Sequence, residues 1–119
     1  MYHAIIVEQS LKNKDILNNL DIIGTKNDSG WTMYKVAIKD DDVDNLVNTI
    51  QSNMEDNQGW YTHLYNEDGT SLVVIYKDKA FYMSSDPKTW DEAVAYGKDL
   101  NIPEEQLDFF PNKFSDETH

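Results

Sequence analysis

Two short stretches, Ala4-Ile5-Ile6-Val7 and Leu72-Val73-Val74-Ile75, narrow the folds open to this chain more than any other feature. A strand with one face in water alternates apolar with polar side chains. These runs are apolar at every position, so each must be covered on both faces. Both read as interior strands of a sheet with a layer on either side, and the rest of the chain has to supply those layers.

Taken in order, His3 to Gln9 is the first strand. Ser10 is placed to cap a short helix over Leu11 to Leu20, where Leu11, Ile16, Leu17 and Leu20 form an imperfect apolar stripe. Asp21 to Thr25 is a short second strand, and the turn formers Lys26-Asn27-Asp28-Ser29-Gly30 lead into a third, Trp31 to Lys39. There Tyr34, Val36 and Ile38 oppose Met33, Lys35 and Ala37. Val43, Leu46, Val47 and Ile50 then fall at i, i+3, i+4 and i+7, the clearest helical signal in the chain, with Met54 one turn beyond. A fourth strand spans Trp60 to Asn66. Asp68-Gly69 marks a hairpin into a fifth, Ser71 to Tyr76, and Lys77-Asp78-Lys79 turns into a sixth, Ala80 to Met83. Asp86 caps a second helix with Pro87 in its first turn, carrying Trp90, Ala93, Val94 and Gly97 and ending near Leu100. Asn101-Ile102-Pro103 breaks it, Glu104 to Leu107 forms one more turn, and Asp108 to His119 lies over the body or frays.

Strand, helix, strand, strand, helix, strand is the βαββαβ order of a ferredoxin-like sheet. The expectation is therefore one α+β domain. Residues 1–66 are its ferredoxin-like core, residues 67–110 add a β-hairpin and a C-terminal helix, and residues 111–119 are a tail; a length of 119 residues suits a single core. The second cover for the sheet is either that helix or a symmetric partner, so a homodimer is one expectation.

Charge and composition exclude several functions. With 22 acidic against 10 basic residues the formal charge is −12, and a field of that sign repels phosphate backbones and anionic lipid. Direct binding to nucleic acid or a membrane surface is disfavoured. The charge suits a protein kept apart by self-repulsion, or one that binds a basic protein partner, in the extreme by mimicking nucleic acid. Cysteine is absent, so no disulfide and no thiolate metal or redox site is available. Four consecutive apolar residues before Glu8 fall far short of a signal sequence or membrane span, and a cytoplasmic location is expected. The five glycines are scattered singly and complete no phosphate-binding loop, and no Gly-x-Ser-x-Gly elbow occurs. No cofactor is expected.

The most chemically suggestive stretch is Gly59-Trp60-Tyr61-Thr62-His63-Leu64-Tyr65. As a strand it sends Trp60, Thr62 and Leu64 one way and Tyr61, His63 and Tyr65 the other. If the second face is a cleft, His63 can exchange a proton near neutral pH and the tyrosines can clamp a planar or anionic ligand; if it is packed, all three belong to a core, with His63 inside it or at its edge. His3 is a potential partner for His63 if their strands lie side by side. Packing is the preferred reading, because a lone histidine lacks the second titratable group of an acid/base pair. The acids Asp40, Asp41, Asp42 and Asp44 have the chemistry of a calcium or magnesium site, but they stand at a helix start, where acids cap free N–H groups, and their spacing fits no EF-hand loop. No metal site is expected. Trp31, Trp60 and Trp90 each open an element, which suits the rim of a core better than a platform for bases.

The run Trp90…Tyr96-Gly97…Leu100-Asn101-Ile102-Pro103-Glu104-Glu105-Gln106-Leu107-Asp108-Phe109, with Gly59-Trp60-Tyr61-Thr62-His63 and the opening Tyr2-His3-Ala4-Ile5-Ile6-Val7-Glu8, resembles a family of small uncharacterised bacterial and archaeal proteins. The resemblance spans nearly the whole chain. It implies a compact domain and brings no catalytic residue, since the family has no known activity. The leading functional expectation is a non-enzymatic binding or protein-interaction module. The alternatives are a small enzyme or ligand sensor working through Tyr61, His63 and Tyr65, or an acidic inhibitor that mimics nucleic acid.

Overall fold

A computed structural model describes residues 1–28, 30–55, 59–107 and 109. Six strands, β1 (Tyr2–Val7), β2 (Asp21–Asp28), β3 (Trp31–Ile38), β4 (Thr62–Asn66), β5 (Ser71–Ile75) and β6 (Ala80–Ser84), form one antiparallel sheet in the order β2-β3-β1-β4-β5-β6. Two α-helices, α1 (Val43–Asn53) and α2 (Asp91–Asp99), complete an α+β fold. The order differs from a four-stranded ferredoxin-like sheet, with β5 and β6 added beyond β4.

The unalternating strands take interior positions, and two separate cores show why. Ala4 and Ile6 of β1, Val36 of β3, Leu64 of β4 and Val73 and Ile75 of β5 point to one face, where α1 buries Val43, Leu46, Val47 and Ile50 against them. On the other face, Tyr65, Leu72, Val74, Tyr76 and Phe81 pack with Trp90, Ala93, Ile102, Leu107 and Phe109. Leu72, Val73, Val74 and Ile75 of β5 thus divide between two dry layers, as an uninterrupted apolar strand requires.

Local sequence accounts for most boundaries. Asn66 Oδ1 accepts from the N–H groups of Thr70 (2.8 Å) and Ser71 (3.0 Å), and Gly69 takes a φ of 69°, closing the β4–β5 hairpin. Asp86 Oδ1 accepts from Lys88 N–H at 3.0 Å, with Pro87 leading a 3₁₀ turn (Pro87–Trp90) into α2. The Trp90 indole N–H donates to Ser84 O at 2.8 Å, seating that turn on the end of β6.

Four expectations are corrected. The helix over Leu11 to Leu20 is replaced by a 3₁₀ segment, Lys14–Asn19, and a 3₁₀ turn at Glu8–Ser10 takes the end of the expected first strand, which stops at Val7. Ser10 caps nothing; its hydroxyl donates back to Val7 O at 2.6 Å. Asn13, Asp15, Asn18 and Asn19 crowd the segment with side chains that compete for backbone groups, and Leu11 is drawn into a bridge with Met54, so the apolar stripe is spent on tertiary contacts. The turn placed at residues 26–30 begins later, since β2 runs on to Asp28, pairing Lys26 with Met33 and Asn27 with Thr32. Pairing with the strongly patterned β3 overrides local turn preference. Finally, the acids at Asp40–Asp42 form a 3₁₀ turn ahead of α1, yet no side chain among them caps it. They face the positive end of the helix dipole, and Asp40 Oδ1 also accepts from the Met1 amino group in an ion pair. The tail expectation for Asp108 and residues 110–119 lies outside the described residues.

The second core contains a titrating group with a measurable consequence. Tyr76 is fully buried and its hydroxyl donates to Ala93 O at 2.7 Å. Burial, followed by the proximity of Tyr61 and Tyr96, raises its pKa well above the usual tyrosine range. Its neutral form is favoured in the folded state, so its contribution is complete below the unfolded pKa of about 10 and is lost as pH climbs towards the folded value. Urea unfolding at a series of pH values should show stability falling above about pH 10. Tyr76→Phe should lose about 1 kcal/mol at neutral pH and show a shallower alkaline decline. An equally steep decline in the variant would assign that limb to other groups.

Candidate functional site

β1 lies between β3 and β4, so a single register decides which candidates meet. His3 stands opposite Tyr65 and Ile5 opposite His63, while on the other side Ile5 faces Lys35 and Val7 faces Met33. All these side chains share the sheet face on which α2 packs. The four candidates from sequence therefore occupy one face, but in two different environments.

Tyr65 is core, 3% exposed, with His3 edge-on at 6.1 Å between ring centroids and His63 at 5.6 Å. His3 is itself buried. Tyr61 and His63, both half-buried, stand where the packed region gives way to open space. One flank of Tyr61 meets Phe109 and Tyr76, with centroids at 5.5 and 6.0 Å, and its hydroxyl donates to Gln106 O. The packed reading thus holds for His3 and Tyr65. Tyr61 and His63 lie at the edge of that packing, against Phe109 on one side, and also border a cavity.

That cavity is a cleft of about 690 Å³. Its floor is the sheet, through Ile5, Val7 and Met33; Trp31, Trp60, Tyr61 and His63 form aromatic walls; and Leu100, Asn101, Ile102, Pro103 and Gln106 close the far side. Ligand pockets commonly enclose about 300–1,000 Å³ with mainly apolar linings and a few polar groups, a description this cleft meets. Trp31 and Trp60 pack against each other, with ring centroids 5.3 Å apart and planes at 60°. Trp31 is 39% exposed and Leu100 36%, two large apolar side chains left in water on facing rims. Trp60 Nε1 is buried and finds no acceptor among the described residues.

The far wall exists because of how α2 ends. Asn101 takes a left-handed conformation, φ 65°, a region that asparagine tolerates better than most residues. Its N–H donates to Lys98 O at 2.9 Å, and the Ile102 N–H donates to Gly97 O at 3.1 Å, which together make a Schellman termination. The chain turns back sharply and lays Ile102 and Pro103 beside β4. Gly59 permits the approach, since a Cβ there would sit 2.8 Å from Ile102 Cγ1 and 2.9 Å from Leu100 O. On the opposite side, Gln9 fixes the end of the β2–β3 hairpin by accepting from Thr32 N–H at 3.1 Å, next to Trp31.

Sequence reasoning missed most of this lining. Alternation puts Trp60 with Thr62 and Leu64, and it does pack against the core on that side, but its indole also reaches the cleft, which alternation does not show. Trp31 carried a usable signal, because it shares parity with Met33 on a face whose other members, Lys35 and Ala37, are not a continuous apolar surface. The turn at Asn101 and the part it plays had no comparable signature.

Chemically the cleft is sparse. Among its described lining residues His63 is the one histidine, and no carboxylate, lysine, serine or threonine joins it. No group of three or more His, Cys, Asp or Glu side chains able to hold a metal ion occurs among the described residues. No helix among them is long and apolar enough to cross a membrane. Comparison with protein-family models, curated proteins and solved structures found no match.

Proposed function

We propose that the protein is a non-enzymatic binding domain that receives a small molecule in the cleft between the β1–β3 sheet face and the segment following α2. The observation that carries this reading is the pairing of a ligand-sized apolar cavity with aromatic walls and a lining short of reactive groups. His3, the candidate acid/base partner of His63, lies inside beside Tyr65 and does not line the cleft. The Tyr61 and His63 positions of the sensor alternative are retained as ligand contacts, while Tyr65 and His3 support them from behind.

A fragment screen followed by amide and indole NMR shifts tests the reading. Ligands should perturb Ile5, Ile102 and the indoles of Trp31 and Trp60 together. Trp31→Ala should weaken binding by about tenfold or more while leaving the fold intact, since a residue 39% exposed holds little of the core. Perturbations scattered over the surface, or a Trp31→Ala protein that binds equally well, would exclude the cleft as the site.

The ferredoxin-like description is proposed for the first four strands only. Support comes from their antiparallel order β2-β3-β1-β4 and the crossing of α1 between β3 and β4; the 3₁₀ segments between β1 and β2 stand where that fold has its first helix. The likeness to a family of small bacterial and archaeal proteins is likewise proposed, on the sequence runs that carry it.

A further inference from the structure

We infer that the cleft selects an uncharged molecule with an apolar body and rejects organic anions and cations alike; this rests on the binding reading above and adds to it the class of ligand. Ile5, Val7, Met33, Ile102 and Pro103 supply hydrocarbon from the floor and from the turn beyond α2. No Asp, Glu or Lys is among the described lining residues, and the ten basic residues of the chain are all lysines. There is thus no arginine fork for a carboxylate or phosphate.

Charged side chains do occur close by in register or sequence, but they stay out of the lining. Lys35 pairs with Ile5 across the β1–β3 ladder, yet it is 4% exposed and does not line the cleft. Glu104 and Glu105 belong to the segment that closes the far side and are likewise absent from the lining, and Glu104 Oε1 lies 3.3 Å from Lys98 Nζ. An ion of either sign entering the cleft would give up hydration and meet no counter-charge on the walls. A neutral molecule of the same shape has no such penalty. Its polar groups can still be answered, because Asn101 and Gln106 are lining residues with carboxamides, which both donate and accept without carrying charge.

The test uses four probes that share a phenylpropyl body and differ in head group: phenylpropanol and phenylpropanamide are neutral, phenylpropanoate is an anion and phenylpropylamine a cation. Each is titrated into the isotope-labelled full chain at pH 8, above the reference histidine pKa of about 6.5, and in about 0.15 M salt, which screens distant charges. Both neutral probes should bind about tenfold more tightly than either ion, read at Ile5, Ile102 and the Trp31 indole. Gln106→Lys should raise the affinity for phenylpropanoate by about threefold or more, and Gln106→Glu that for phenylpropylamine, since each places a counter-charge in the wall. Both variants keep the backbone carbonyl to which the Tyr61 hydroxyl donates. An ion that binds as tightly as the neutral probes at those resonances would overturn the selection while the binding reading stands. So would ion affinities that neither Gln106 variant changes, because the walls would then not set the preference. If none of the four probes moves those resonances, both readings are overturned.

Discussion

Phe109→Ala is expected to destabilise the protein by about 3–5 kcal/mol, the range for emptying a fully buried aromatic site. Phe109 is 0% exposed and is ringed by other aromatics, with centroids 5.5 Å from Tyr61, 6.2 Å from Trp90 and 6.4 Å from His63. Those neighbours come from the lead-in to β4, from β4 itself and from the first turn of the α2 region, so they cannot close together over the gap without moving the sheet or the helix. The cavity term should therefore stay close to its maximum. Phe109 also packs against Tyr61 and His63 without lining the cleft itself. Loss of the ring should broaden the NMR signals of both and weaken ligand binding even where the variant remains folded. Denaturant unfolding gives the first quantity and ligand titration the second; a loss below about 1 kcal/mol would mean that the site collapses easily, contrary to the packing described.

The second large effect is expected at Gly97, where Gly97→Val should cost about 3 kcal/mol. A helix interior normally gains up to about 1 kcal/mol when glycine becomes alanine, so propensity alone predicts stabilisation. The surroundings oppose it. A Cβ on Gly97 would lie 2.5 Å from Leu107 Cδ2 and 2.8 Å from the Tyr76 hydroxyl oxygen. Leu107 can give way at its tip, but the Tyr76 ring is rigid and its hydroxyl is committed to Ala93 O. Overpacking of this kind costs about 1–3 kcal/mol, enough to overcome the propensity gain, and valine's two additional methyl groups bring the cost to the upper end. Gly97→Ala should fall between wild type and Gly97→Val. A Gly97→Ala protein more stable than wild type would show that Leu107 and the segment behind it relax freely.

The elements legible in sequence were those whose pattern and packing agree. Val43, Leu46, Val47 and Ile50 line one helix face and are all buried, and the unbroken run in β5 lies between two cores. Asp86-Pro87 and Asp68-Gly69 set their own local backbone and needed nothing from elsewhere in the chain. The segment over Leu11 to Leu20 misled because its leucines satisfy tertiary contacts from 3₁₀ turns, and short irregular segments leave no distinct periodicity. For the site, alternation placed Tyr61, His63 and Tyr65 on one face, but which of them is packed depends on what folds back over that face. Ile5, Trp31, Gly59 and Ile102 are far apart in the chain and become neighbours only through strand register and one left-handed residue. Neither can be read from a local window.

The register of β2 against β3 slips between Ile22 and Gly24, leaving Ile23 without an opposite number and 49% exposed. An irregular border is a poor template for a newcomer's backbone, because the N–H and C=O groups beyond it no longer fall into evenly spaced rows. The slip makes the β2 edge a poor place for a second copy of the molecule to add its own strand.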